Sequence, residues 1–260
     1  MGLDHRLNHI NEPEERLELA KILDLVDLAN RRKVISFSHF LSPLIVSLAE
    51  PILKRCGDIS YSVEGGYPEA ERNMLAIYPD YHLGILDFPM CRLRMDVKST
   101  SNQRITHRDY LGAILSLGIS RDYLGDIVVL NDNSAIVVLS REIQPYVAMN
   151  LINIGRHLVF VEETSSIQGC ATGYEDILCS LSSLRLDVVV ANAFGTSRRQ
   201  AESLIRSESV KVQWRTLSKP GAVVGMNSYI SCRHYGRIKL MEVLSVSKKN
   251  KMKVMIRKFI

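Results

Sequence analysis

The chain turns on one stretch. It opens with Leu184-Arg185-Leu186-Asp187-Val188-Val189-Val190-Ala191-Asn192-Ala193. Gly195-Thr196-Ser197-Arg198-Arg199-Gln200-Ala201-Glu202-Ser203-Leu204-Ile205-Arg206 follows, then Val210-Lys211-Val212-Gln213-Trp214. Further on come Tyr229-Ile230-Ser231-Cys232-Arg233 and Gly236-Arg237-Ile238-Lys239. The spacing predicts two short helices and then short strands with basic residues at their edges. Ser183 is the expected cap of the first helix, with Leu184, Val188, Val189 and Ala193 as its apolar face and Gly195 as its left-handed stop. Ser197 is the expected cap of the second, with Ala201, Leu204 and Ile205 buried. Arg199 and Arg206 share a face of that helix, and Glu202 to Arg206 has the spacing of a favourable ion pair.

Charge sets this stretch apart. The whole chain holds 33 Lys/Arg and 28 Asp/Glu, net +5. Residues 181–260 hold 16 against 4, net +12, which leaves residues 1–180 with 17 against 24, net −7. A small, strongly basic module is the electrostatic footprint of a nucleic-acid binder. The free N–H groups at the start of the second helix, beside Arg198 and Arg199, suit a phosphate. As exposed charges, these two arginines are expected to add little to folding and much to anion binding. Trp214 either covers the small core or stacks on a base.

The remainder reads as acidic and globular, 46% apolar, with no run long enough for a membrane span and no apolar signal core at the N-terminus. Gly2 does not make a myristoylation signal, because Arg6 stands where Ser or Thr is wanted. Cys56, Cys91, Cys170, Cys179 and Cys232 are scattered, odd in number and without a Cys-x-x-Cys pair. They read as reduced thiols of a cytoplasmic protein. Asn11-Glu12-Pro13 opens a helix with Leu19, Ile22, Leu23 and Val26 on its apolar face, closed by Arg31-Arg32-Lys33. A break spans Phe37 to Phe40. Ser42-Pro43 starts a second helix through about Arg55, so helices are expected within 11–56. Strands are expected at Ile59–Val63 and Met74–Tyr78, with Glu64-Gly65-Gly66-Tyr67 a turn rather than a phosphate cradle, because Glu64, Glu69 and Glu71 flank it.

From Met90 the order is Cys91–Val97 strand, Arg108–Leu117 helix, and Asp126–Leu130 and Ala135–Leu139 strands joined across Asn131-Asp132-Asn133-Ser134. Arg141–Ile154 is then a helix ended by Gly155, and His157–Glu162 a strand. That is the β-α-β-β-α-β order of a ferredoxin-like unit over about 90–163. Its central strands carry no aromatic residues for reading bases, so any RNA contact there is by charge and shape. His107-Arg108-Asp109 mimics a kinase triplet but lacks the Asn five residues on. A capping box of Thr106 and Asp109 is the better reading. Thr164–Ser180 reads as a linker. The expected architecture is α+β: an N-terminal domain over 1–165, a linker at 166–180, and a basic module with a C-terminal hairpin over 181–260.

The basic stretch resembles the S4 RNA-binding domain through Arg185-Leu186-Asp187, Ser197-Arg198, Leu204-Ile205, Val210-Lys211-Val212 and the last strand pair. It departs from that pattern at Glu208-Ser209, where Gly is usual, at Gln213, where Asn is usual, and at Gly225-Met226-Asn227-Ser228, where Gly-Asp is usual. Several N-terminal segments resemble the bacterial YlmH family, whose members join such a domain to a C-terminal S4 domain. They are Gly65-Gly66-Tyr67, Glu69-Ala70-Glu71-Arg72, Ile77-Tyr78-Pro79-Asp80-Tyr81, His107-Arg108-Asp109-Tyr110-Leu111-Gly112-Ala113, Leu115-Ser116-Leu117-Gly118 and Gly125-Asp126-Ile127. Pro68 is a departure in the first of these.

The resemblance implies a non-enzymatic protein that binds rRNA and tRNA at the large ribosomal subunit, in quality control or rescue of stalled translation. It implies RNA-backbone contacts from Arg185, Ser197, Arg198, Arg199, Lys211, Arg233, Arg237 and Lys239. No cofactor, metal or membrane is expected, and the acidic N-terminal domain is a candidate for a protein partner. The alternatives are an RNA-modifying enzyme or its accessory, for which no catalytic motif is found, and a protein-interaction adaptor linked to cell division.

Overall fold

The computed structural model describes residues 5–8, 10–98, 104–165, 174–247 and 251–259. The chain divides into two compact units, Met1–Cys170 and Ala171–Ile260. The first unit begins with α1 (Pro13–Arg32), β1 (Ser36–Phe37), α2 (Pro43–Leu53), β2 (Ile59–Glu64) and β3 (Met74–Pro79). Helix α1 buries Leu19, Ile22, Leu23, Val26 and Ala29 at helical spacing. Its cap position is Glu12, one residue beyond the expected Asn11, and makes no side-chain cap bond; Pro13 fixes the entry instead. Ser42 caps α2 by accepting from the Ile45 N–H at 3.4 Å. The expected break at residue 37 holds the end of a short strand, and the sheet order is β1-β3-β2.

The same unit continues with β4 (Met90–Lys98), α3 (His107–Leu115), β5 (Leu124–Asn131), β6 (Ser134–Ser140), α4 (Gln144–Asn150), β7 (Asn153–Ile154) and β8 (His157–Glu163). Their antiparallel sheet runs β5-β6-β4-β8-β7, so the strand contributed first lies between the third and the fourth. This is the ferredoxin-like order expected from the sequence. Leu93, Met95, Val137 and Leu139 face Tyr110 and Ile114 of α3 and Val147 of α4 in one core. The capping box at Thr106 is present: the Asp109 carboxylate accepts from the Thr106 N–H at 2.8 Å and from its hydroxyl at 2.7 Å. The helix expected over Arg141–Ile154 is shorter. Asn153 and Ile154 pair with Leu158 and His157 across a tight hairpin, and Gly155, at φ +58°, serves that turn rather than ending the helix.

The second unit contains β9 (Tyr174–Leu181), α5 (Leu186–Ala193), α6 (Arg198–Arg206), β10 (Val210–Val212), β11 (Arg215–Thr216), β12 (Tyr229–Cys232), β13 (Gly236–Val246) and β14 (Met252–Phe259). Its sheet runs β11-β10-β12-β13-β14-β9. The expected linker is therefore corrected over 174–180; residues 166–173 lie outside the described residues. Ile177, Cys179 and Leu181 alternate into the core, and β14 gives β9 a partner along its whole length. Helix α5 contains three consecutive valines, poor helix formers, yet all three are buried. Burial on both helices and the sheet overrides the local preference.

In the first unit, loop 64–73 is fastened to β5 by Asp126. The Asp126 carboxylate accepts from the Tyr67 hydroxyl at 2.9 Å and from the backbone N–H groups of Glu71 at 2.6 Å and Arg72 at 3.3 Å. The Arg72 guanidinium donates to the carbonyls of Leu124 and Phe40 at 2.8 and 2.7 Å. A Cβ on Gly65 would lie 2.3 Å from that of Ala70 and 2.7 Å from the Arg72 carbonyl, so only glycine fits. Burial pushes the Asp126 carboxyl above its ordinary value, and the donors of Tyr67 and Arg72 oppose that rise. Asp126→Ala strands a hydroxyl and two N–H groups and is expected to cost about 3 kcal/mol, read by urea unfolding of the first unit. Asp126→Asn loses part of this, because one oxygen becomes a donor.

Candidate nucleic-acid interface

The N-terminal ends of α5 and α6 are held by one carboxylate. The Asp187 side chain is 0% exposed. Arg185 donates to it through Nε and a terminal nitrogen, both at 3.0 Å, and Arg198 donates through Nε at 2.8 Å. Burial by itself would raise the Asp187 pKa, but the hydrogen bonds from Arg185 and Arg198 outweigh it and hold the carboxyl below its ordinary value. The cap position of α5 is Arg185, not the expected Ser183, and it makes no side-chain cap bond. The 217–226 loop lies along this corner: Leu186 and Asp187 donate their N–H groups to the carbonyls of Ala222 and Pro220. Beyond α5, Gly195 takes the left-handed conformation expected of it, at φ +65°. Ser197 caps α6, accepting from the Gln200 N–H at 3.1 Å.

The expectation that Arg198 is a surface charge uncoupled from folding is corrected. Its side chain is 57% exposed, yet it pairs with a fully buried carboxylate. Glu202 approaches Arg198 at 3.7 Å rather than serving Arg206. Arg199, on the next position, is exposed and makes no ion pair among the described residues. Both arginines on Asp187 keep part of the guanidinium edge in solvent, fixed in direction by the pair.

The other expected residues lie on the sheet. Lys211 is opposite Ser231, Ser231 is opposite Arg237, and Tyr229 is opposite Lys239. Residues directly opposite share a face, so Lys211, Arg237 and Lys239 line the side away from the core. Arg233 is exposed at the β12–β13 turn, its N–H bonded to the Ser209 carbonyl. The expected strand through Trp214 ends at Val212. Gln213 and Trp214 form a two-residue turn with φ +49° and +62°. Glu208 takes the left-handed conformation at φ +58° where a glycine would be unstrained.

Sequence reasoning missed one feature of the ferredoxin-like sheet. Phe160 on β8 is 53% exposed on the outer face, opposite Asp96, with the Lys98 ammonium 4.5 Å from its ring centroid. The missed signal was alternation on an edge-side strand rather than on the central pair.

Family comparison separates the two halves of the first unit. Residues 14–82 match the family model described as "YlmH, N-terminal". Residues 87–168 match the model described as "Putative RNA-binding domain in YlmH". Together the matches cover more than half of the chain. The chain belongs to the YlmH family. A YlmH relative from Bacillus subtilis (strain 168), named "Ribosome-associated protein quality control protein P2", is 26% identical over 246 residues, 93% of this chain and 94% of that one. A solved structure named "Cell division protein ylmH from Streptococcus pneumoniae" shares the fold, with TM-score 0.51 and 22% identity, over 59% of this chain and 93% of its own. Among the motifs that first suggested YlmH, Gly65-Gly66-Tyr67, Glu71-Arg72 and Gly125-Asp126 converge on the Asp126 network, which makes them structural.

Arg198→Ala is expected to lower the melting temperature of the second unit by about 4–8 °C, the effect of ~1 kcal/mol in a domain of this size. Arg199→Ala should leave it unmoved. Calorimetry of the two variants distinguishes the roles.

Proposed function

We propose that this protein is a non-catalytic RNA-binding protein of the ribosome, engaging rRNA and tRNA on the large subunit in quality control or rescue of stalled translation. The observation that carries the reading is the basic second unit, with cations fixed at two helix starts and along one sheet face. The description of the 87–168 family model and the name of the Bacillus subtilis relative support it, and so does the S4-like order of two helices followed by strands. In this reading Arg199, Lys211 and Arg233 are the primary phosphate contacts, because they are exposed and outside the Asp187 cluster. Arg185 and Arg198 contribute the guanidinium edges that Asp187 leaves in solvent. Ser197 acts through the helix start it caps. The protein works in the cytoplasm without cofactor or metal.

A second role, recruitment of a protein partner, is favoured by one observation on the first unit. Leu158 and Phe160, alternate residues of β8 and so on one face of the sheet, are 54% and 53% exposed, apolar side chains in solvent that suit an interface.

The test is sedimentation with purified large subunits over a salt series. Neutralising about five phosphates gives a slope of log K against log salt of roughly −3.5 to −4.5. Replacing Arg199, Lys211 and Arg233 together by Ala should reduce that slope by about 2–3 with folding intact. A flat salt dependence, or a triple variant that still pellets like the parent chain, overturns the assignment.

A further inference from the structure

A half-buried sheet ordinarily turns polar side chains to solvent. The outer face of the second unit's sheet sets aromatic rings among them. Its core side carries Val210, Ile230, Cys232, Ile238, Leu240, Val254 and Ile256. On the opposite side, one cross-strand row runs Lys211, Ser231, Arg237, Phe259, Tyr174. The neighbouring row runs Tyr229, Lys239, Arg257, Asp176. Trp214, in the turn after β10, meets the second row: its ring centroid is 5.1 Å from that of Tyr229. Tyr229 and Phe259 lie 6.0 Å apart with planes only 29° from parallel.

The cations belong to the same array. Arg237 lies 4.4 Å from the Phe259 centroid, Lys239 4.9 Å from Tyr229, and Arg257 3.8 Å from Tyr174. Within the two rows there are four cations and one carboxylate. Asp176 is already committed to Arg257 by a two-pronged pair at 2.8 and 2.9 Å. Cross-strand aromatic pairs alone would stabilise the sheet, and such pairs need no surplus of positive charge. Flat rings interleaved with cations on an accessible sheet face are what unpaired bases require: stacking surface for the base and positive charge for the phosphate beside it.

We propose that this face is a stacking platform for unpaired RNA nucleotides. The inference rests on the RNA-binding reading above and adds its mode: Trp214, Tyr229 and Phe259 take base faces, while Lys211, Arg237 and Lys239 take the backbone. Lys239 reaches Tyr229 on a flexible stem, so an arriving base displaces the ammonium toward phosphate. A duplex has its base faces covered and gains only the charge term.

Trp214 is the single tryptophan of the chain, and its fluorescence reports directly on this surface. The intact protein is titrated with a single-stranded RNA of about ten nucleotides, within the range of such sites, and with an RNA duplex of the same length. The single strand is expected to quench Trp214 and the duplex to leave it unchanged. In a Tyr229→Leu, Phe259→Leu double variant, single-strand affinity should fall at least about tenfold with duplex affinity retained, which also shows that the variant folds. If the single strand binds without quenching and with equal affinity in the variant, the platform is overturned while RNA binding stands. If the parent chain binds neither RNA, the RNA reading itself fails and the platform with it. Should the variant lose duplex binding too, the fluorescence of the parent chain decides alone.

Discussion

A carboxylate cannot be taken out of water without donors around it, and each unit of this chain is arranged about one such group. Asp187 is fully buried at the corner where α5 begins, and it holds Arg185 and Arg198 from the starts of two different helices. Two short helices of eight and nine residues would be marginal in isolation. The shared carboxylate fixes their mutual direction, and the apolar side chains of α5 and α6 then close over the sheet. Asp126 does the corresponding work in the first unit, fastening the 64–73 loop to β5.

This arrangement changes what an arginine near a helix start means. A guanidinium has five donors in a rigid fork, so Arg198 can satisfy Asp187 along one edge and still present another to solvent. Stability and anion binding then draw on the same side chain, and removing it affects both. Arg199, one residue later, lacks the buried partner. The two adjacent arginines of the motif therefore differ in kind, and their difference lies in which side of the helix start each occupies.

The sheet faces divide labour in a comparable way. In the ferredoxin-like sheet the helices cover one face, and Val138 on the other packs with Phe40 and Met74, leaving Phe160 and Lys98 toward the open edge. In the second unit's sheet the outer face carries rings and cations across β10, β12, β13, β14 and β9. It depends on strands from both ends of the unit, since β9 precedes the helices and β14 closes the chain.

Much of this was legible in the residue order. Periodicity placed α1 and its buried face, the β-α-β-β-α-β succession of elements along the chain, the two short helices of the basic module and the helix starts at Ser42, Thr106 and Ser197, because these depend on neighbours within a few positions. Charge counting alone separated an acidic N-terminal region from a basic C-terminal one. What the order could not decide was pairing across distance. Residues 174–180 read as linker because their partners on β14 lie about seventy to eighty-five residues on, and strand pairing is set by tertiary register rather than local preference. Arg198 read as a free charge because Asp187 is eleven positions away on another helix. The ring-and-cation face was invisible for the same reason: Tyr174, Trp214, Tyr229, Arg237 and Phe259 are spread over the whole unit, and only the antiparallel register of five strands brings them onto one side.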